Sequence, residues 1–241
     1  MAVLGIASAL KFYYANASAN GLRWILAPTA CLVEVGTGET FQFESYTGYM
    51  NSDHSFLIAA ACAGVNFMIV AFLMFSLLRL LRDRSVEISW AMIPAALLAA
   101  YAATIIANAL RISVALMLLR TGPEMIWINP EQLHRFEGIF IYFGSLLVLF
   151  VLSESMSTDD TSPQRRNSRF LRRSILPLLI YWITTLGIPL ANGAYQQRST
   201  FWEHSVFVLL TPLILILPLA VFHWLRTPHF VTHGRQDSRL W

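Results

Sequence analysis

Residues 56–78 read FLIAAACAGVNFMIVAFLMFSLL, an apolar run that contains no charged side chain. A helix of about 20 apolar residues crosses the hydrocarbon core of a bilayer, so this run predicts a transmembrane helix. The composition agrees, because 56% of the 241 residues are hydrophobic and only 13% are charged. Soluble domains have about 25% charged residues. The chain is therefore predicted to be a membrane protein.

Four further apolar runs predict membrane-spanning helices. They cover residues 88–110, 136–152, 174–191 and 205–225. Prolines lie inside or at the ends of some runs, and membrane helices tolerate such kinks. The expected fold class is all-α, a polytopic integral membrane helical bundle with about six transmembrane helices. Residues 1–241 are expected to form a single membrane-embedded domain with its core motifs in 56–152.

The first part of the chain, residues 1–36, is less regular. Its two apolar stretches, 2–14 and 22–35, are short, and Lys11 and Arg23 interrupt the region. We expect one spanning helix and one interfacial or re-entrant segment, and two spans are the alternative. A cleaved signal peptide is disfavoured because no positively charged region precedes the apolar residues.

The distribution of arginine predicts which loops face the cytoplasm. One set of segments holds eleven Arg residues: 79–87, 153–173 and 226–241. The other set holds four: 37–55, 111–135 and 192–204. Because cytoplasmic loops are enriched in Lys and Arg, we expect the first set inside and the second set outside. The pattern marks membrane orientation and not a nucleic-acid-binding patch.

Three side chains with catalytic chemistry fall at the outer level of this predicted bundle. Cys62 is expected about 9 Å into a helix that enters from outside, Arg111 at the outer end of the next helix, and His134 at the outer start of the third. Asn66 follows Cys62 at i+4 and Asn108 precedes Arg111 at i−3, so each is expected on the same helix face as its neighbour. Polar side chains of membrane helices usually face the bundle interior or a wet cavity. A cavity near the outer surface is therefore expected.

Cysteine, histidine and arginine together form a sufficient set for acyl transfer. A thiolate attacks a carbonyl, a histidine takes the proton and returns it to the leaving amine, and an arginine stabilises negative charge or binds a carboxylate. Each residue alone has a more ordinary interpretation, as a buried cysteine, an anchoring arginine or an interface histidine. Cys31 has no such partners and is interpreted as structural. The sequence has no CxxC motif and no Cys/His cluster, so we expect neither a metal nor another cofactor.

Short motifs around these residues resemble the exosortase/archaeosortase family. Residues 60–67, AACAGVNF, resemble its cysteine motif, and residues 108–112, NALRI, resemble its arginine motif. His134 with Gly138 resembles its histidine motif, and the order and spacing agree. Ala63 stands where many members have Ser, a departure that exosortase K-like sequences tolerate.

The resemblance is greatest to the exosortase K subtype, which residues 22–30 and 192–195 also resemble. It implies a bacterial inner-membrane cysteine transpeptidase or protease that cleaves C-terminal sorting signals of the PEP-CTERM type. It implies Cys62 as nucleophile, His134 as general base and acid, and Arg111 as stabilising cation, in a site that faces the periplasm. The implied partners are membrane-anchored substrate proteins with such a signal and the lipid bilayer, with no nucleic acid.

Two outer-side groups are weaker candidates for supporting roles. Glu137, about one turn after His134, could orient the imidazole, and His204, at the start of the last predicted span, could line the site. The competing functions are a membrane transporter or channel and a non-catalytic surface-assembly factor. The sequence has no inverted repeat and no charge near the middle of a span, which argues against transport.

Overall fold

The structure is a computed structural model that describes residues 1–82, 91–121, 130–156, 175–187, 190, 202 and 205–217. Five helices lie in the described part of residues 1–156. They are α1 Ala2–Asn16, α2 Arg23–Thr37, α3 Val65–Arg82, α4 Met92–Thr121 and α5 Pro130–Ser155. Two shorter apolar helices follow, α6 Ile175–Gly187 and α7 Ser205–Leu217. The prediction of a helical membrane protein is confirmed.

Three helical segments of the described chain are long and apolar enough to cross a membrane. They are Ala60–Leu81, Met92–Arg120 and Arg135–Ser155. They agree with the predicted spans at 56–78, 88–110 and 136–152, although α4 continues beyond its predicted end. The helices α6 and α7 fall within the predicted spans 174–191 and 205–225, but parts of those two spans lie outside the described residues.

The N-terminal region forms two short helices. Both α1 and α2 have 15 residues, which is shorter than the roughly 20 that a crossing helix needs. The helix α1 packs against α3, and α2 packs against α4. The topology of one span and one interfacial or re-entrant segment stays a prediction.

A three-stranded antiparallel sheet precedes α3 and was not predicted. Its strands are β1 Phe41–Glu44, β2 Gly48–Asn51 and β3 Leu57–Ala59, in the order β1-β2-β3. The first residues of the apolar run 56–78 thus form a strand and not the start of a helix. A short apolar segment does not distinguish a buried strand from a buried helix, which explains the error.

The sheet packs along α2 through polar and aromatic contacts. The Glu34 carboxylate of α2 accepts a hydrogen bond from the Phe41 backbone N–H at 2.7 Å. The guanidinium carbon of Arg23 lies 4.7 Å from the centre of the Phe43 ring. The ion pair between Arg120 and Glu39 joins the last turn of α4 to the segment that enters β1. At the other end of the hairpin, the Tyr46 backbone N–H donates to Asn20 Oδ1 at 3.1 Å, so the sheet extends along α2.

The turn between β2 and β3 is held by local hydrogen bonds. The Ser55 hydroxyl donates to the Asp53 carboxylate at 2.7 Å, and the Ser55 backbone N–H donates to it at 3.1 Å. These bonds hold the pKa of the Asp53 carboxyl below its usual range. The buried Asn51 side chain accepts from the Phe56 backbone N–H at 2.8 Å, which closes the turn.

The helix α3 is the centre of the bundle. Its most apolar stretch is 61% buried, compared with 39% for the stretch in α4 and 33% for that in α5. Phe72 of α3 is fully buried, as are Phe143 and Phe150 of α5. Val65 and Phe67 at the start of α3 are consequently buried, whereas Asn66 is exposed.

Glycine at position 48 is predicted to be required for the sheet. Its φ of +135° is unfavourable for other residues, and a Cβ there would lie 2.3 Å from the backbone oxygen of Ile58. We expect Gly48→Ala to lower the free energy of unfolding by about 3 kcal/mol, at the upper end of typical substitutions. Thermal unfolding in detergent measures this loss.

Gly38→Ala is the matched control for this prediction. Gly38 also has a positive φ, +74°, but a Cβ there would meet no atom within 4 Å. It should cost only the left-handed backbone penalty of about 1–2 kcal/mol. Equal losses for the two variants would contradict the predicted clash with β3.

Candidate active site

Cys62 lies in an irregular segment between a strand and a helix. It ends the 3₁₀ turn Ala60–Cys62, which follows β3 directly, and α3 begins only at Val65. The prediction that Cys62 lies six residues inside a helix is therefore wrong. The thiol is half-buried and is not part of a disulfide. Because the backbone around Cys62 is not helical, its carbonyl needs a partner from elsewhere.

Gly64 makes the connection between this turn and α3 possible. Its φ of +71° is in the left-handed region that favours glycine. A Cβ at this position would lie 3.1 Å from Thr104 Cγ2 and 3.2 Å from Asn108 Cγ. Glycine thus allows both the sharp turn after Cys62 and a close approach of this turn to α4.

Asn108 of α4 supplies the partner for the Cys62 carbonyl. Its Nδ2 donates to the carbonyl oxygen at 2.6 Å, and its Oδ1 accepts from the Tyr142 hydroxyl at 2.7 Å. The Asn108 side chain is fully buried. One amide therefore joins the turn before α3 to α4 and α5. The structure places this predicted supporting residue in direct contact with Cys62.

Arg111 lies one turn further along α4 and close to the same residues. Its Nη1 donates to the Tyr142 hydroxyl at 3.4 Å, and its guanidinium carbon lies 5.3 Å from the centre of the Tyr142 ring. Arg111 also interacts electrostatically with Cys62 and Glu137. The prediction that Arg111 ends its helix is wrong, because α4 continues to Thr121.

Tyr142 is a site residue that sequence reasoning missed. Its ring stacks on Phe67 of α3 with 5.1 Å between ring centres, while its hydroxyl connects Arg111 and Asn108. A polar side chain two turns after His134 in a membrane helix was the available signal.

Gly138 of α5 allows Arg111 to lie against the helix backbone. A Cβ at position 138 would lie 2.9 Å from Arg111 Nε. The guanidinium group of Arg111 therefore occupies the space beside Gly138. The backbone of His134 is in α5, one turn and about 6 Å along the axis before Gly138. Its side chain lies outside the described part of the structure.

Glu137 is buried beside the guanidinium group. Its side chain is 6% exposed and interacts electrostatically with Arg111. A buried charge in a membrane bundle is costly unless it is paired with another charge. Glu137 thus interacts electrostatically with Arg111, whereas its predicted role in orienting His134 stays a prediction.

The remaining predicted supporting residues have different outcomes. Asn66 is exposed and does not share a helix face with Cys62, because the backbone at Gly64 interrupts the helix between them. Its side chain instead accepts a hydrogen bond from Lys11 Nζ at 2.7 Å. His204 lies outside the described residues. In the described part of the chain, no group of three His, Cys, Asp or Glu side chains could hold a metal ion.

An apolar cavity of about 530 Å³ lies next to this site, between α1, α2, α3 and α4. Its lining residues are Leu10, Trp24, Met68, Pro94, Leu97, Leu98 and Tyr101. Met68 is one turn after Gly64, and Tyr101 is about two turns before Asn108. The cavity is therefore displaced from the site along the helix axes, away from the sheet.

Comparisons with known proteins identify a family for this chain. A family model described as transmembrane exosortase matches residues 2–151. This range includes every residue of the hydrogen-bonded cluster and the position of His134. No curated protein and no solved structure matches the chain.

The Asn108 amide is predicted to hold the site together. Asn108→Ala would remove two hydrogen bonds and leave the Cys62 carbonyl without this partner, at a cost of about 1–3 kcal/mol. Thermal unfolding in detergent should show the loss. In a Cys31→Ala background, the rate at which maleimide alkylates Cys62 should also change severalfold.

Tyr101→Phe provides the control. Tyr101 is also on α4 but lies outside the cluster. The substitution removes the 2.8 Å hydrogen bond that its hydroxyl donates to the Trp24 carbonyl of α2. This variant should leave the alkylation rate unchanged. If Asn108→Ala also left that rate unchanged, the amide would not position Cys62.

Proposed function

The chain belongs to the transmembrane exosortase family, and we propose from this premise that it is a membrane-embedded cysteine transpeptidase or protease. Its substrates are membrane-anchored exported proteins with C-terminal sorting signals of the PEP-CTERM type. The sequence motifs quoted above favour the exosortase K subtype.

One observation carries this proposal: the Asn108 amide and the Tyr142 hydroxyl connect the backbone of Cys62 to Arg111. A nucleophile and a permanent cation from separate segments are thereby held at one level. Gly138, one turn after His134 on α5, lies against the same guanidinium group. On this proposal, His134 supplies the third residue type that acyl transfer needs.

The proposed reaction proceeds through a thioester. His134 takes the proton from the Cys62 thiol, and the sulfur attacks the carbonyl carbon of the scissile peptide bond. The tetrahedral intermediate carries a negative oxygen that the Arg111 guanidinium stabilises. His134 then gives its proton to the leaving amine as the C–N bond breaks. Water or an acceptor amine finally attacks the thioester and regenerates the thiol.

The site is proposed to face the periplasm at the outer edge of the bacterial inner membrane. The arginine-rich loops mark the opposite end of the bundle as cytoplasmic. Cys62 precedes α3, at the opposite end of this helix from the arginine-rich segment 79–87, which supports this orientation. A substrate anchored by its own membrane helix presents its cleavage site at this depth.

The apolar cavity is proposed to receive the substrate's membrane helix. It is lined by apolar side chains and lies along the helix axes from Cys62 towards the bilayer centre. A substrate chain that passes Cys62 continues into the membrane in that direction. Its apolar side chains would therefore find the cavity immediately beyond the cleavage site.

Substrate processing is predicted to depend on Cys62. Cys62→Ala should abolish cleavage of a co-expressed reporter that carries a motif–helix–Arg tail from the same genome, because no thioester can form. Immunoblotting for loss of the tail measures this result. Cys31→Ala is the matched control, since Cys31 is exposed and is not part of the cluster. It should retain full processing.

The same pair of variants separates the competing functions. Normal processing by a Cys62→Ala protein that inserts into the membrane would reject the cysteine mechanism. A transporter or an assembly factor does not need a reactive Cys62. Labelling of Cys62 by an impermeant maleimide from the periplasmic side tests the proposed orientation independently.

Filling the apolar cavity is predicted to weaken binding of anchored substrates. Leu98→Trp should raise KM for the anchored reporter because the larger side chain occupies the space of the substrate helix. It should not affect cleavage of a soluble peptide without the membrane helix. Val148→Trp is the control, because Val148 of α5 is 58% exposed and lies away from the cavity. Equal effects of Leu98→Trp on both substrates would contradict the assignment.

A further inference from the structure

The helix α1 brings a phenol group to the nucleophile. The Tyr14 hydroxyl lies 3.4 Å from the carbonyl oxygen of Ala61, the residue before Cys62. Tyr14 also interacts electrostatically with both Cys62 and Arg111. Its side chain is half-buried, so it borders the cluster without being sealed inside it. None of the motifs quoted above contains this residue.

Contacts with α3 fix the position of Tyr14. One turn earlier, Lys11 Nζ donates to Asn66 Oδ1 at 2.7 Å and lies 5.9 Å from the centre of the Tyr14 ring. Ala7, a further turn back, is buried against the hydrophobic core. The side of α1 that contains these residues therefore packs on α3, and the phenol is held at the 3₁₀ turn.

The hydrogen bond of the Tyr14 hydroxyl is poorly optimised in the free protein. At 3.4 Å it is well beyond the usual 2.7–2.8 Å of an O–H donor bond. A hydroxyl in such a bond loses little when it turns to a stronger acceptor. The oxygen of a tetrahedral intermediate on Cys62 is a charged acceptor, to which hydrogen bonds are about twice as strong.

We propose that Tyr14 is a further catalytic residue, whose hydroxyl donates a hydrogen bond to the oxyanion formed when Cys62 attacks a carbonyl. The oxyanion is then stabilised by two groups, the Arg111 guanidinium from α4 and the Tyr14 phenol from α1. The phenol keeps its proton throughout, so the sequence of proton transfers through His134 is unchanged. This inference rests on the proposed function of Cys62 as an acylated nucleophile.

Two reagents distinguish oxyanion stabilisation from a general effect on the thiol. p-Nitrophenyl acetate acylates the Cys62 sulfur, and the reaction passes through an oxyanion before p-nitrophenolate leaves and a proton is released. Iodoacetamide alkylates the same sulfur by displacing iodide, and no oxyanion forms. Both reactions are to be measured on the full chain in detergent, in a Cys31→Ala background.

Tyr14→Phe should slow acylation by about 100-fold, the lower end of the effect of losing one oxyanion donor. Alkylation by iodoacetamide should be unchanged. Tyr13→Phe is the matched control, because the neighbouring Tyr13 hydroxyl donates to the Gly21 carbonyl at 2.5 Å, away from Cys62. It should leave both rates unchanged.

Two outcomes would overturn the proposal. Acylation at the wild-type rate in Tyr14→Phe would show that the phenol does not contact the oxyanion. Equal slowing of acylation and alkylation would show that Tyr14 acts on the thiol or on the fold. This test uses small reagents and no sorting signal, so it does not depend on the natural substrate. A failure of the proposed function would be seen in a different experiment, as normal processing of the reporter tail by the Cys62→Ala variant.

Discussion

The hydrogen bonds of the buried Asn108 amide are the constraint on which the rest of the site depends. Cys62 lies outside regular helix, and its backbone carbonyl is in a membrane bundle where water is scarce. Asn108 accepts from Tyr142 and donates to this carbonyl, so one side chain satisfies the irregular backbone and joins two further helices. The close approach is possible only because Gly64 has no side chain. The backbone at Cys62 can therefore depart from helical geometry while its carbonyl stays hydrogen-bonded.

The charge of Arg111 is accommodated by the same packing. A guanidinium group inside a membrane bundle needs polar neighbours, and Tyr142 and Glu137 provide them. The missing side chain of Gly138 provides the space. The cost of burying this cation is thus offset by groups on α5, which ties the orientation of α5 to the position of the charge. The same hydrogen bonds connect Arg111 to the backbone of Cys62.

Sequence patterns predicted the helical membrane architecture and three of the long apolar spans, because span length and apolar composition are dictated directly by the bilayer. They also predicted that Cys62, Arg111 and Asn108 lie at one level of the bundle. They missed the sheet, since the short apolar strand β3 reads as the start of the helix that follows it. They placed Asn66 beside Cys62 because a regular helix was assumed across Gly64. Tyr14 and Tyr142 were missed because their roles depend on contacts between helices, which spacing along one helix does not contain.

The distance between the sheet and Cys62 is fixed by the fold. β3 ends at Ala59, and Cys62 is the last residue of the 3₁₀ turn that follows. The strand is hydrogen-bonded into a sheet, and the turn is held by Asn108, so neither end can slide relative to the other. On the proposed function, a substrate that rests on the sheet while it passes the Cys62 thiol is held at a fixed distance from that thiol. The position of cleavage would then depend on the number of substrate residues between the sheet and the thiol, as well as on the residues at the cleavage site.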